Sequence, residues 1–296
     1  MDPTLSVVVC TRGRGEAAYP AVASLLAMRP QALEILVVDQ GGDGALAARL
    51  APGPIRYLPQ RETGVSRARN LALAETRGGI VAFTDDDCVV PPDFVARNLR
   101  AFADYPSAGI VFGNVLPAPH DPRLGIIPGV VKAEPFLATR LVDQVGLGGM
   151  GACMALRRDV LPSLVGFDAD LGSGGRYHAA EEVDLTLRAL ALGIPVLETP
   201  EVWVTHHGFR CHADAVPLVW RYLFGTGAAY AKQARRHPLA MARVFARVAL
   251  RFARGATGVD YGSSPRIPRL RAFAKGVGAG LRHGVDPATG LFLPIA

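Results

Sequence analysis

An α/β chain built on a mainly parallel sheet is what this sequence predicts, and three observations predict it. Short apolar, β-branched runs recur at residues 5–10, 34–38, 55–58 and 80–84, each fitting a buried strand. Stretches with helix-like character alternate with them, at 19–28 and 65–76. Polar residues stand at the ends of three runs, Thr11, Asp39 and Asp85, where an open parallel sheet gathers its ligands.

Composition narrows the class further. A chain of 296 residues can hold one large domain or two small ones. Half of it is hydrophobic, yet no apolar run approaches the ~18 residues of a membrane span. No basic lead precedes an apolar block at the start, which argues against a secretory signal. Cys10, Cys88, Cys153 and Cys211 are scattered without a Cys-x-x-Cys pair, as expected of reduced thiols in a cytoplasmic protein. The net charge of +6 is unevenly placed: residues 211–296 hold 13 Lys/Arg against 3 Asp/Glu, and the remainder 19 against 23. Codon usage can explain the preference for Arg over Lys. It does not explain the scarcity of acids, and a basic tail of this kind suits an anionic surface.

Along the chain, residues 5–10 lead into the polar turn Thr11-Arg12-Gly13-Arg14-Gly15, and 34–38 into Asp39 and a glycine-rich turn. Asp39 suits either a ribose or base contact or a turn cap. The helix over 65–76 carries Arg67, Arg69 and Asn70 early, where the arginines can meet a diphosphate or face solvent. The run at 80–84 ends abruptly in Asp85-Asp86-Asp87. If the chain stays extended there, Asp85 and Asp87 project the same way and form a hard oxygen pair suited to Mg²⁺ or Mn²⁺. A solvated acidic turn is the bland alternative, disfavoured by the mutual repulsion of three adjacent carboxylates.

Residues 109–151 show no clear periodicity and read as a proline-punctuated crossover or lid. Gly146-Leu147-Gly148-Gly149-Met150-Gly151 is a literal G-x-G-x-x-G, but it does not open the first βα unit and is no dinucleotide fingerprint. Close backbone approach to a ligand, or a hinge, suits it better. A strand over 154–157, a turn at 165–168 and a glycine-rich loop at 171–175 follow. Glu181, Glu182 and Asp184 then open a helix. They can cap its positive end, or one of them can take a proton from a bound hydroxyl. Strands at 194–197 and 202–205 deliver His206-His207; no His-Glu-x-x-His is present, which disfavours a zinc protease.

Over residues 4–210 the chain resembles family 2 glycosyltransferases of the GT-A nucleotide-sugar-binding fold. The resemblance is carried by Ser6-Val7-Val8-Val9-Cys10-Thr11-Arg12, Ile35-Leu36-Val37-Val38-Asp39, Ser66-Arg67-Ala68-Arg69-Asn70 and Phe83-Thr84-Asp85-Asp86-Asp87. Gly166-Phe167-Asp168, Glu181-Glu182-Val183-Asp184-Leu185 and the strand ending at His206 complete it. It implies an inverting transferase moving a sugar from a nucleotide-diphosphate donor to a glycan or lipid-linked acceptor, with Mn²⁺ or Mg²⁺. Asp85-x-Asp87 falls on the family's Asp-x-Asp motif, with Asp87 the principal ligand and His206 near the metal. Thr11, Arg12, Asp39, Arg67, Arg69, Asn70, Asp85 and Asp86 fall in the donor-binding set. The family's Glu-Asp pair falls on Glu181-Glu182, which implies Glu182 as base, with Glu181 and Asp184 as rivals because Glu replaces Asp there.

Residues 1–112 are expected to form the donor half and 113–210 the acceptor half of one domain, with a helical basic extension over 211–296. A helix over 220–235 is expected to be interrupted by Gly225 and Gly227. In the next, over 240–254, Met241, Val244, Phe245, Val248 and Phe252 share one face, and Arg243, Arg247, Arg251 and Arg254 another, with Leu250 among the arginines. That pattern suits either a membrane surface or the catalytic domain; the charge favours the membrane, as a peripheral contact on its inner face. Residues 266–296, rich in proline and glycine, are expected to be poorly ordered. The missing Gly-x-x-x-x-Gly-Lys-Ser/Thr disfavours a P-loop enzyme. A non-catalytic carbohydrate- or nucleic-acid-binding module is the remaining rival, though aromatics at 7% without interleaving predict no nucleic acid.

Overall fold

Residues 4–42, 44–51, 53–253 and 266–294 are described by the computed structural model of the chain. Its first half alternates β1 (Leu5–Arg12), α1 (Tyr19–Leu26), β2 (Glu34–Gln40), α2 (Ala45–Leu50), β3 (Ile55–Gln60), α3 (Val65–Glu75) and β4 (Ile80–Asp85). After these come β5 (Cys88–Val89), α4 (Phe94–Asp104), β6 (Ile110–Pro117), β7 (Gly125–Ile126), β8 (Phe136–Ala138) and β9 (Cys153–Arg157). The chain continues with α5 (Leu161–Leu164), α6 (Glu181–Ala191), β10 (Val196–His206), β11 (Arg210–Cys211), α7 (His212–Arg236), α8 (Pro238–Ala253) and α9 (Arg266–Arg282).

Nine strands make one sheet in the order β3-β2-β1-β4-β9-β6-β10-β5, with β8 beside β10. β3, β2, β1 and β4 are mutually parallel, as are β6 and β10, while β9 runs antiparallel between the two groups. Alternation splits each strand between two cores. Val8, Leu36, Val38 and Phe83 pack with α3, α6 and the C-terminal helices; Val7, Val9, Ile35 and Val37 pack with α1, α2 and α4. The parallel register brings the functional ends level: Thr11 lies opposite Asp39, and Cys10 opposite Asp85.

Several expectations change. β6 stands inside the sheet where a loop was expected, and the expected division at 112/113 falls within it. Gly113 and Asn114 break its apolar run, but Gly113 is required: an added Cβ would come within 2.5 Å of Val202 O and Cys153 Sγ. α4 was not anticipated either. The two strands read at 194–197 and 202–205 are one, β10, whose pairing with β6 shifts register between Thr199 and Trp203. The interruption at Pro200 is therefore a local irregularity.

The tail departs most. α7 runs unbroken through Pro217, Gly225 and Gly227 for 25 residues. α9 occupies most of the segment expected to lack order. Their glycines explain both findings: a Cβ on Gly227 would collide with Phe273 O, and one on Gly276 with Phe224 O. Glycine weakens each helix alone, yet it lets the two backbones meet. In α8, Met241 and Val244 are buried in the core shared with the sheet, and Phe245, Val248 and Phe252 pack against it. The apolar face expected on a membrane is thus covered by the body of the protein. Arg243, Arg247 and Leu250 are exposed, Arg251 donates to the Val145 carbonyl, and Arg254 lies outside the described residues. Among the described residues no helix is long and apolar enough to cross a membrane.

Candidate active site

At the carboxyl ends of β1 and β4 opens a cavity of about 580 Å³, bounded also by the start of α6, residues 147–152 and α7. The acids after β4 line it, but they do not stay extended. β4 ends at Asp85, and Asp86-Asp87 turn the chain into β5. The expected projection of Asp85 and Asp87 to one side is therefore lost. Asp85 faces Arg69, whose Nη2 lies 3.7 Å from its Oδ1. Asp86 accepts a 2.6 Å hydrogen bond from the Thr11 hydroxyl and lies 3.4 Å from Arg14 Nε. Asp87 accepts from Arg14 Nη2 at 3.0 Å, and its Oδ1 lies 3.3 Å from His206 Nε2.

The antiparallel pairing of β5 with the end of β10 creates that last contact: Cys88 lies opposite His206, and the His207 N–H donates to the Asp87 carbonyl at 2.8 Å. Burial pushes the Asp87 carboxyl upward, but His206 and Arg14 outweigh it and hold the group below its usual range. Among the described residues, Asp87, Cys88 and His206 can bring donor atoms within 4.8 Å of one another. Asp85 is not in this group, so the expected Asp85–Asp87–His206 set is reduced to Asp87 and His206. Burial pushes the Cys88 thiol up, so it offers no thiolate. The pair fits a divalent cation: His206 Nδ1 sits 2.7 Å from the Pro128 carbonyl, which keeps a proton on Nδ1, while Nε2 faces Asp87 and can turn its lone pair to a cation only after giving up the proton that Asp87 favours.

Facing these acids are those of α6, and the fold separates them. Glu181 is locked to Arg69, Oε1 to Nη1 at 2.9 Å, and burial with the adjacent Glu182 charge raises its carboxyl above the ordinary value. Glu182 accepts from the Gly151 N–H at 2.8 Å, lies 3.5 Å from Arg69 Nη1 and keeps 19% of its side chain exposed to the cavity. Asp184 is fully buried, 2.7 Å from Lys232 Nζ and 2.9 Å from Arg188 Nε. It turns away from the cavity. Arg69 thus bridges the acids after β4 and those of α6, above the rings of Phe83 and Phe167.

The other donor-set residues divide. Thr11 and Arg12 line the cavity; Asp39, Arg67 and Asn70 do not. Asp39 is buried, accepting from Tyr57 Oη at 2.8 Å through Oδ2, while Oδ1 has no hydrogen-bond partner among the described residues. Arg67 lies beside Glu62 and the Ala169 carbonyl. Asn70 holds the Phe167 backbone from both sides, at 2.8 and 2.7 Å, a structural clamp on the turn before α6. The glycines at 149 and 151 approach side chains: a Cβ on Gly149 would strike the Phe112 ring, and one on Gly151 the Arg69 guanidinium and Glu182. Arg14 and Lys232 were not anticipated. Arg14 had a weak signal, standing in a polar turn at a strand end; Lys232 had none.

Residues 6–164 match the family model for glycosyl transferase family 2. The chain belongs to that family. A curated relative, the succinoglycan biosynthesis protein ExoM of Rhizobium meliloti (strain 1021), is 30% identical over 212 residues, 68% of this chain and 65% of its own length. The uncharacterized protein y4gI of Sinorhizobium fredii (strain NBRC 101917 / NGR234) is 25% identical over 237 residues, 72% of this chain and 25% of its own. This family 2 chain therefore covers less than two thirds of either. Among solved structures, the mannosyltransferase PcManGT from Pyrobaculum calidifontis, in complex with GDP-Man and Mn²⁺, superposes with a TM-score of 0.58 at 20% identity, covering 95% of this chain and 85% of that one. S. aureus TarS 1–349 gives 0.59 at 14% identity, covering 83% and 71%. The fold is the GT-A fold expected from the sequence.

Proposed function

We propose that the chain transfers a sugar from a nucleotide-diphosphate donor to an acceptor hydroxyl, with inversion at the anomeric carbon. The observation that carries this reading is that one cavity holds the strand-end acids, the Asp87–His206 pair and the partly exposed Glu182. The nucleoside lies at the ends of β1 and β2, where Thr11 and Arg12 border the cavity and Asp39, behind its lining, keeps one carboxylate oxygen without a partner among the described residues. Arg14 exchanges its carboxylate partners for the donor diphosphate. A Mn²⁺ or Mg²⁺ ion held by Asp87 and His206 supplies, when bound, charge neutralisation for the departing diphosphate.

Glu182 accepts the proton of the acceptor hydroxyl. The acceptor oxygen forms its bond to the anomeric carbon as the bond to the diphosphate oxygen breaks, and the nucleoside diphosphate leaves with the electron pair. Arg69 lies between the two acidic groups, offsets their mutual repulsion and fixes the Glu181 side chain. The relative named for succinoglycan biosynthesis supports a glycan acceptor, for which we propose a lipid-linked or cell-envelope glycan, and the neighbour holding GDP-Man supports a nucleotide-sugar donor.

A panel of UDP- and GDP-sugars with Mn²⁺ tests the reading. A matching donor should raise the melting temperature, release nucleoside diphosphate when an acceptor is supplied, and give a product of inverted configuration by NMR. A panel without any thermal shift, or a product of retained configuration, overturns it.

A further inference from the structure

We infer that Lys232 of α7 is a positioning residue for the first turn of α6, which makes the C-terminal helices part of the catalytic unit. The inference rests on the reading of Glu182 as proton acceptor. Lys232 is fully buried, with Nζ 2.5 Å from Asp168 Oδ2 and 2.7 Å from Asp184 Oδ1. The two carboxylates come from segments that determine where Glu182 sits. Asp168 closes the turn that Asn70 clamps, and Asp184 follows Glu182 by two residues on the same helix. Arg188 completes the group, donating to Asp184 and to the carbonyls of Leu164 and Gly166. The Phe292 N–H also donates to Asp168 Oδ2 at 2.8 Å, and its ring lies 4.9 Å from Lys232 Nζ.

Two cations and two carboxylates thus sit in a dry site with no net charge. Such a set resists displacement, because moving one member leaves another charge buried and unmatched. Without Lys232, Arg188 still reaches Asp184, but Asp168 loses its cation and α6 loses its charged tie to α7, keeping apolar packing there. Glu182 depends on that tie: its carboxylate must hold its place against the Gly151 N–H and the acceptor hydroxyl. A misplacement of about 1 Å at such a site costs about 10²-fold in rate.

The test uses the full chain carrying Lys232→Met with Asp168→Asn, which restores charge balance around the remaining Arg188–Asp184 pair. Lys232→Met with Asp184→Asn, which leaves Arg188 and Asp168, is a second balanced variant. Amide exchange of the first turn of α6, binding of GDP and UDP with Mn²⁺, and kcat with the best donor of the panel are measured on each. At least one variant should melt cooperatively, and each that does should exchange about 10-fold faster in that turn, bind nucleotide as the parent does and lose about 10²-fold in kcat with donor KM unchanged. Unchanged exchange in a folded variant overturns the inference, whatever happens to the rate. So does unaltered kcat, and so does failure of both variants to fold, which would make Lys232 a residue of stability alone. If exchange quickens but even the parent transfers no sugar, the reading of the activity falls while the restraint on α6 stands.

Discussion

Two acid triads face each other across the cavity, and the fold treats them in opposite ways. Asp85, Asp86 and Asp87 leave a strand through a turn, and the cation between the last two, Arg14, is one-third exposed. Glu181, Glu182 and Asp184 open a helix, and the cations that neutralise Asp184, Lys232 and Arg188, are buried. Partners that touch solvent can be exchanged for a ligand at little cost, whereas buried ones cannot leave without stranding a charge. The first triad is built to swap partners, and the second to keep them. Arg69, buried and touching both, ties the two together.

The largest expected effect breaks the exchangeable side. Asp87→Ala should lower turnover by about 10³-fold and abolish its dependence on added Mn²⁺, since a cation supplies several kcal/mol at a departing diphosphate. The melting temperature without ligand should hardly move; near-normal turnover from the pure variant would remove Asp87 from the site. Next comes Glu182, the member of the second triad most exposed to the cavity. Glu182→Gln should reduce kcat by about 10²–10³-fold while nucleotide binding stays as it was. Comparable losses of binding and kcat would mean that Glu182 contacts the donor instead.

The contrast also explains what could be read beforehand. β1, β2 and β4 were legible because strands buried on both faces are written as continuous apolar, β-branched runs, and their polar ends mark the cleft directly. β6 was not, because Gly113 and Asn114 obey neighbours in β9 and β10 rather than any local pattern. The motif residues pointed to both triads, but not to the cations that hold them. Those are distant in sequence: Arg14 beside Asp86 and Asp87, Lys232 beside Asp184. The tail misled for the same reason. An amphipathic basic helix presents one stripe to lipid or to protein alike, and glycines that look like breaks are the contact surface of α7 with α9.

Asp184→Asn attacks the side that keeps its partners and should cost about 3 kcal/mol, because Lys232 and Arg188 are left sharing one carboxylate. Calorimetry or denaturant unfolding reads it, and the same substitution at Asp86, whose cation Arg14 touches solvent, should cost far less. Gly227→Ala probes the framework that delivers Lys232: the added methyl meets Phe273 O, and overpacking there should cost about 2 kcal/mol. Equal stability of the variant would show that α7 and α9 can separate without consequence.

The finest distinction is in the acid limb of the stability curve. Burial pushes the Asp184 carboxyl upward, but Lys232 and Arg188 outweigh it, so its folded pKa lies below the usual carboxylate value. Unfolded, it titrates near ~3.9. A carboxyl lowered by folding contributes stability that is complete above the unfolded value and drains away as pH falls through the folded one. Between about pH 5 and pH 2 the parent should therefore lose stability more steeply than Asp184→Asn, whatever their offset at neutral pH. The slopes, not the levels, carry the comparison, since the variant begins lower. Parallel curves would mean that folding leaves the Asp184 carboxyl at its unfolded value, and then the second triad would gain nothing from matched charge at that position.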